Sequence, residues 1–190
     1  RSTLFPYTML FRSASYLFAF APFARKYLHD VFDWQEKSGR LPHIAPEGGA
    51  DAYMRTMNGA VGWADVGILM PYRYWKLFGD EDILREFYDG MAQYARFMER
   101  RCGKRMPLFG ERIHLSKDNQ RYLVNSGQSY GEWAEPVDVK PNDWKDMVLP
   151  HPEVSTAYTA YVLRCLAEIA EELQHPADAA NYRAVSDKCT

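Results

Sequence analysis

The chain has 190 residues, 47% of them hydrophobic and 25% charged, and a net charge of −2. That length can bury one sizeable core, while the near-neutral balance and the lack of any Lys/Arg run give no electrostatic case for a nucleic-acid partner. No membrane partner is expected either, because the apolar run Tyr16 to Ala24 is far too short to span a bilayer and is flanked by Arg12 and Arg25.

Residues 1–13, Arg1 to Ser13, resemble translated sequencing-adapter read-through of the kind seen at the ends of metagenomic fragments. This sets them apart from a single domain over 14–190. Ala14 to Lys37 reads as a long helix, since Phe20, Phe23, Ala24, Tyr27, Leu28 and Val31 recur at spacings of three and four. Gly39 suits a left-handed stop, and Pro42 and Pro46 enforce an extended loop through Gly48-Gly49. A second helix is predicted from Ala64 to Phe78, kinked or split at Pro71 and ended by Gly79. Asp80 then caps a helix from Glu81 to Arg101, whose Ile83, Phe87, Met91, Tyr94 and Met98 form one apolar stripe. The short Gly79-Asp80 connection makes these two helices an αα-hairpin.

From Gly103 to Val154 the periodicity is lost. Phe109 to Val124 is read as a short hairpin, and the aromatics Tyr122, Tyr130, Trp133 and Trp144 argue against disorder. Ser155 to Gln174 is a helix capped by Ser155 or Thr156, with Tyr158, Tyr161, Val162, Cys165, Ile169 and Leu173 on one face. Pro176 opens a last helix from Ala177 to Lys188. The result is all-α: hairpins joined alternately by short and long connections, as in a toroid with a site at one end. No short sequence repeat of the tetratricopeptide or HEAT kind is visible.

Two stretches put an indole beside a carboxylate on loops, Gly62-Trp63-Ala64-Asp65 and Glu132-Trp133-Ala134-Glu135. An indole face stacks on the C–H groups of a sugar and a carboxylate accepts from its hydroxyls. Trp63, Asp65, Glu132 and Trp133 are therefore the candidate substrate-binding residues. The plainer reading is a buried tryptophan beside an ordinary helix cap for the first pair and a solvated acidic loop for the second. His29, His43, His114, His151 and His175 have no metal-ligand spacing and read as surface or loop residues. Asp80-Glu81-Asp82 reads as an acidic helix start. Ser126, Ser129 and Ser155 lack a nucleophile-elbow context. Cys102, Cys165 and Cys189 give neither a disulfide framework nor a zinc pattern, and Cys165 reads as a buried small hydrophobe. No metal or cofactor is expected.

The block Gly62-Trp63-Ala64-Asp65, Pro71-Tyr72-Arg73, Phe78-Gly79-Asp80 and Ile83-Leu84 resembles the six-hairpin glycosidases. Within them it is most similar to the bacterial α-L-rhamnosidases of glycoside hydrolase family 78. Ser13-Ala14-Ser15-Tyr16, Gly39-Arg40-Leu41-Pro42, Ala45-Pro46, Tyr130-Gly131-Glu132-Trp133 (with Glu where the family has Asp) and Ser155-Thr156-Ala157-Tyr158 agree in order and spacing. The resemblance implies a partial α/α toroid from an inverting hydrolase that releases terminal α-L-rhamnose. Its partners would be a rhamnose-containing carbohydrate and the remainder of the same catalytic domain. The family's general-acid and general-base glutamates match nothing in this sequence, so the catalytic residues are expected outside the chain. Trp63 and Trp133 would wall the sugar, and Asp65 and Glu132 would hydrogen-bond it. Another glycosidase or a polysaccharide lyase on the same toroid, or a non-catalytic helical interaction module, are the rival readings. A partial toroid should leave apolar faces uncovered.

Overall fold

The computed structural model describes residues 20–46, 52–106, 113–129 and 150–190. Seven helices lie within them: α1 Ala21–Asp33, α2 Ala52–Thr56, α3 Val66–Phe78, α4 Asp82–Arg101, α5 Lys117–Gln120, α6 Pro152–Glu172 and α7 Pro176–Lys188. The regular elements among the described residues are all helices, with only two isolated parallel bridges besides, Val61 with Ser129 and Arg105 with Asn125, so the all-α class holds. The α3–α4 hairpin sits centrally. Helix α1 packs on both of its helices, and α6, paired with α7, packs on them as well.

The α3–α4 turn is built as its residues dictate. Gly79 adopts φ 69° and sends its N–H to the Trp75 carbonyl, a left-handed stop that costs a glycine little. Asp80 Oδ1 accepts from the Asp82 N–H at 3.0 Å, while its carboxylate is paired with Arg25 of α1 at 2.9 Å. The acidic helix start thus also ties α1 to the hairpin. All five predicted stripe residues of α4 are buried.

Four expectations are corrected. Pro71 does not split α3, which runs as one helix from Val66 to Phe78. Pro71 stands in the second turn, so only one intrahelical bond, to the Gly67 carbonyl, is forgone. Helix α6 begins at Pro152 with His151 as its flanking residue, earlier than expected, because a proline is pre-organised for a first helical position. Ser155 is then an interior, buried residue, and the Thr156 hydroxyl accepts the Val124 N–H at 3.0 Å instead of capping. The buried positions of α6 include Leu163, Leu166, Ala167 and Ala170 beside Val162, Cys165 and Ile169, whereas Tyr161 is exposed. This helix is covered on two sides, so a single stripe understates it. No hairpin is formed among the described residues of the 109–124 segment. Lys117–Gln120 is a helical turn whose Ser116 hydroxyl accepts from Asn119 N–H at 3.2 Å.

Helix α1 approaches the hairpin closely because two glycines open a notch for it. A Cβ on Gly90 would fall 2.4 Å from Phe32 Cδ1, and one on Gly67 2.4 Å from Leu41 Cδ1 and 3.4 Å from Phe32 Cζ. Phe32 fills the notch and stacks on Phe87, with centroids 5.4 Å apart. Gln35 Nε2 donates to the Gly90 and Gly39 carbonyls, both at 3.0 Å, fixing the end of α1 where the chain turns toward the site. Cys165 is 3% exposed, as a small core hydrophobe should be, and burial pushes its thiol up to about 11.

Candidate functional site

Three loop segments meet at one end of the hairpin: residues 40–46, 57–65 and 124–129. Their backbones are stitched together, with Gly59 N–H donating to the Leu41 carbonyl at 2.9 Å and Val61 N–H to that of Gln128 at 3.0 Å. Loops cannot satisfy their own polar groups through regular structure, and here two arginines do it. Arg40 reaches the Asn58 carbonyl through Nε at 3.1 Å and Nη2 at 2.8 Å. Arg101, the last residue of α4 and only 8% exposed, donates from Nη1 to the Gly59 carbonyl at 2.8 Å and from Nη2 to that of Ser126 at 2.5 Å. Asn58 completes the joint, its Oδ1 accepting the His43 N–H at 2.8 Å and its Nδ2 donating to Glu36 at 3.0 Å.

Trp63 is seated on this platform. It is half-buried, its Nε1 donates to the His43 carbonyl at 2.7 Å, and its ring stacks on the His43 imidazole with centroids 5.1 Å apart and planes 15° from parallel. The polar edge of the indole is thereby satisfied within the chain. His43 is 7% exposed, and burial holds its imidazole below the usual histidine range; of the two expected placements, surface or loop, it takes the loop one and is buried there.

Asp65 has both carboxylate oxygens engaged within the chain. It is 1% exposed; Oδ2 accepts the Gly62 N–H at 2.7 Å and Oδ1 accepts the Tyr94 hydroxyl at 2.8 Å. It precedes α3 but makes no side-chain bond to the first-turn amides; it reaches back to brace the turn that carries Trp63. The cost of burying this carboxylate is offset by those two donors and by the buried Arg101 guanidinium, which feels Asp65 electrostatically. Burial, with the Asp65 charge adding to it, holds the Tyr94 phenol well above its ordinary range. Tyr94 was legible only as part of the α4 stripe. Its hydroxyl partner lies 29 residues away, beyond what helical spacing can show.

Glu132 and Trp133 lie outside the described residues. The residue from which their segment departs does not. Ser129 is bridged to Val61, two positions before Trp63, and its hydroxyl accepts the His151 N–H at 2.9 Å where the chain returns to α6. Both ends of the segment are therefore anchored beside the Trp63 loop. Two concavities among the described residues lie elsewhere. One, of about 410 Å³, lies at Lys104, Arg105, His114 and Asn125; the other, of about 550 Å³, lies between α4 and the start of α7 at Tyr88, Arg96 and His175. Neither is lined by Trp63 or Asp65. No group of three or more metal-ligating side chains occurs among the described residues.

With this geometry in place, similarity to characterised proteins can be weighed. Residues 7–190 match the bacterial α-L-rhamnosidase six-hairpin glycosidase domain. The chain belongs to that family. The match takes in residues 7–13 of the segment set apart above. An α-L-rhamnosidase of Streptomyces avermitilis is 26% identical over 170 residues, 90% of this chain and 13% of the relative. The structure of α-L-rhamnosidase from Dictyoglumus thermophilum superposes with a TM-score of 0.66 at 27% identity, over 90% of this chain and 16% of that one. The Streptomyces avermitilis enzyme complexed with L-rhamnose superposes with a TM-score of 0.63 at 25% identity, over 90% and 13%. The chain thus spans only a small part of the length of these relatives, and it is a piece of a glycoside hydrolase fold.

Proposed function

We propose that this chain supplies part of the sugar subsite of an inverting glycoside hydrolase that releases terminal α-L-rhamnose from glycosides or polysaccharides. The remainder of the same catalytic domain would complete it. The single observation that carries the reading is the Trp63 platform. A half-buried indole has its N–H already bonded and one face on His43, on a loop joined to two others by arginine bonds to backbone carbonyls. Such a surface is pre-organised to stack on the apolar face of a pyranose.

In this reading Trp63 touches the sugar, and Trp133 and Glu132 add a second wall and a hydroxyl acceptor from the segment anchored at Ser129. Asp65 works through the loop. With both oxygens engaged by Gly62 and Tyr94, it sets the height and tilt of the indole. Inversion requires an acid and a base carboxylate roughly 6.5–9.5 Å apart. The glutamates expected to fill those roles lie outside the chain, so the chain alone should bind rhamnose weakly and turn over no aryl rhamnoside.

Saturation-transfer NMR of the chain with L-rhamnose, and with D-glucose and D-glucuronate as comparators, tests this. Transfer to rhamnose above the comparators, lost in Trp63→Ala but kept in Trp34→Ala, is the expected result. Equal transfer from all three sugars, or transfer that survives Trp63→Ala, would remove the rhamnose assignment and favour another glycosidase or a lyase on the same toroid.

A further inference from the structure

Cys102 and Cys189 are widely separated in sequence, yet the fold brings them together. Cys102 follows the last residue of α4 and Cys189 the last residue of α7. Both lie against one short stretch of backbone. Gly103 N–H donates to the Leu123 carbonyl at 2.9 Å, and Cys189 Sγ donates to the Tyr122 carbonyl at 3.5 Å. Cys102 Sγ donates to the Met98 carbonyl at 3.6 Å, one turn back in α4, and the two thiols lie close enough that each perturbs the ionisation of the other. Cys165, the remaining thiol, is buried inside α6 at 3% exposure.

We propose that Cys102 and Cys189 form an oxidisable pair, which closes into a disulfide by exchange with a small-molecule disulfide such as oxidised glutathione. Cys102 is half-buried while Cys189 is 9% exposed, so the order of attack is set by access. The Cys102 thiolate attacks one sulfur of the small disulfide, the S–S bond breaks, and one small thiolate leaves. Cys189 then gives up its proton and attacks the Cys102 sulfur of the mixed disulfide, expelling the second small thiolate. The two protein thiols lose two electrons and two protons, and the small disulfide becomes two thiols.

The surroundings favour that order. The Cys102 thiol is held below the ordinary range, chiefly by the neighbouring Cys189 thiol and also by the Arg101 guanidinium. The Cys189 thiol is held above it by the same contact and by burial. The product joins the ends of α4 and α7 and closes the chain between residues 102 and 189. That loop includes the Ser126–Ser129 edge of the Trp63 platform, so the bond fastens the far side of the candidate site to the central hairpin.

The chain is incubated with excess oxidised glutathione, quenched with N-ethylmaleimide under denaturing conditions and digested for mass spectrometry. The expected result is a Cys102–Cys189 crosslinked peptide, loss of two hydrogens from the intact mass, and Cys165 alkylated. The oxidised chain should melt on the order of 5–10 °C above the reduced one. Cys189→Ser should stop at a glutathione adduct on Cys102 with no such rise, and Cys165→Ser should crosslink as the parent does. A stable adduct on Cys102 with Cys189 alkylated, a crosslink to Cys165, or no reaction in the parent chain would each overturn the proposal. All three are read without relying on a variant that must fold.

Discussion

Replacing Asp65 by alanine strands two donors in a dry site, the Gly62 N–H and the Tyr94 hydroxyl, and leaves the Arg101 charge with less compensation. A cost of about 2–4 kcal/mol is expected, against about 1 kcal/mol for Tyr94→Phe, which removes a donor but leaves Asp65 its other partner. Urea unfolding of the two variants gives both values. His43 carries a pH prediction. Its folded pKa is depressed by burial, so the unfolded chain binds its proton first as pH falls. Stability is fully present above the unfolded value of about 6.5 and declines as pH drops below it toward the folded pKa. The unfolding midpoint measured from about pH 7.5 down to 5.5 should fall, and His43→Gln should flatten that part of the slope. At this scale the sequence was half legible. Trp63 stood out because an indole on a loop needs a reason. The burial of Asp65 and the stacking of His43 did not, because both depend on partners 20 or more positions away.

The notch between α3 and α4 sets how helix α1 can pack. Gly90→Ala should raise the helix propensity of α4 by up to about 1 kcal/mol. The new Cβ would nevertheless meet Phe32 at 2.4 Å, and overpacking of that kind costs about 1–3 kcal/mol. The net change should be destabilising, and Phe32→Leu in the Gly90→Ala background should recover part of it. A thermal-unfolding double-mutant cycle reads the coupling. Helices α3, α4, α6 and α7 were visible from periodicity and from Gly79 and Pro176, since these are local signals. Where α6 begins was misread, because Ser155 and Thr156 look like caps and only tertiary packing shows them occupied otherwise. A split at Pro71 was expected because the sequence does not show how much of α3 is buried; Gly67, Ile68, Leu69, Met70, Pro71 and Tyr74 all are, and that packing holds the helix together across the bond the proline forgoes.

Across the whole molecule the core is continuous, from Leu28 and Val31 of α1 through Tyr94 and Met91 of α4 to Leu163 and Ile169 of α6. It is nonetheless incompletely covered. Phe23 is 61% exposed, Leu77 59% and Phe78 49%, and Phe23 and Tyr27 stack on the outside of α1. Such surfaces promote association. Light scattering should show the chain's apparent mass rising with concentration, and a Phe23→Glu, Leu77→Glu double variant should hold it at the monomer value while keeping the helical circular-dichroism signal. The all-α toroid class was recoverable because long and short connections alternate along the sequence. Which faces go uncovered was not, because exposure depends on what packs outside the stretch that the pattern describes.

The Ser129–His151 bond has one further consequence. It closes the neck of the stretch between them, and the Val61 bridge holds that neck to the body of the fold. Changes between positions 129 and 151 would leave the Trp63 scaffold in place, because these contacts already bring the two ends of that interval together. The fold therefore separates what must be inherited intact from what is free to drift. Selection can act on that interval while the scaffold that holds Trp63 goes unchallenged.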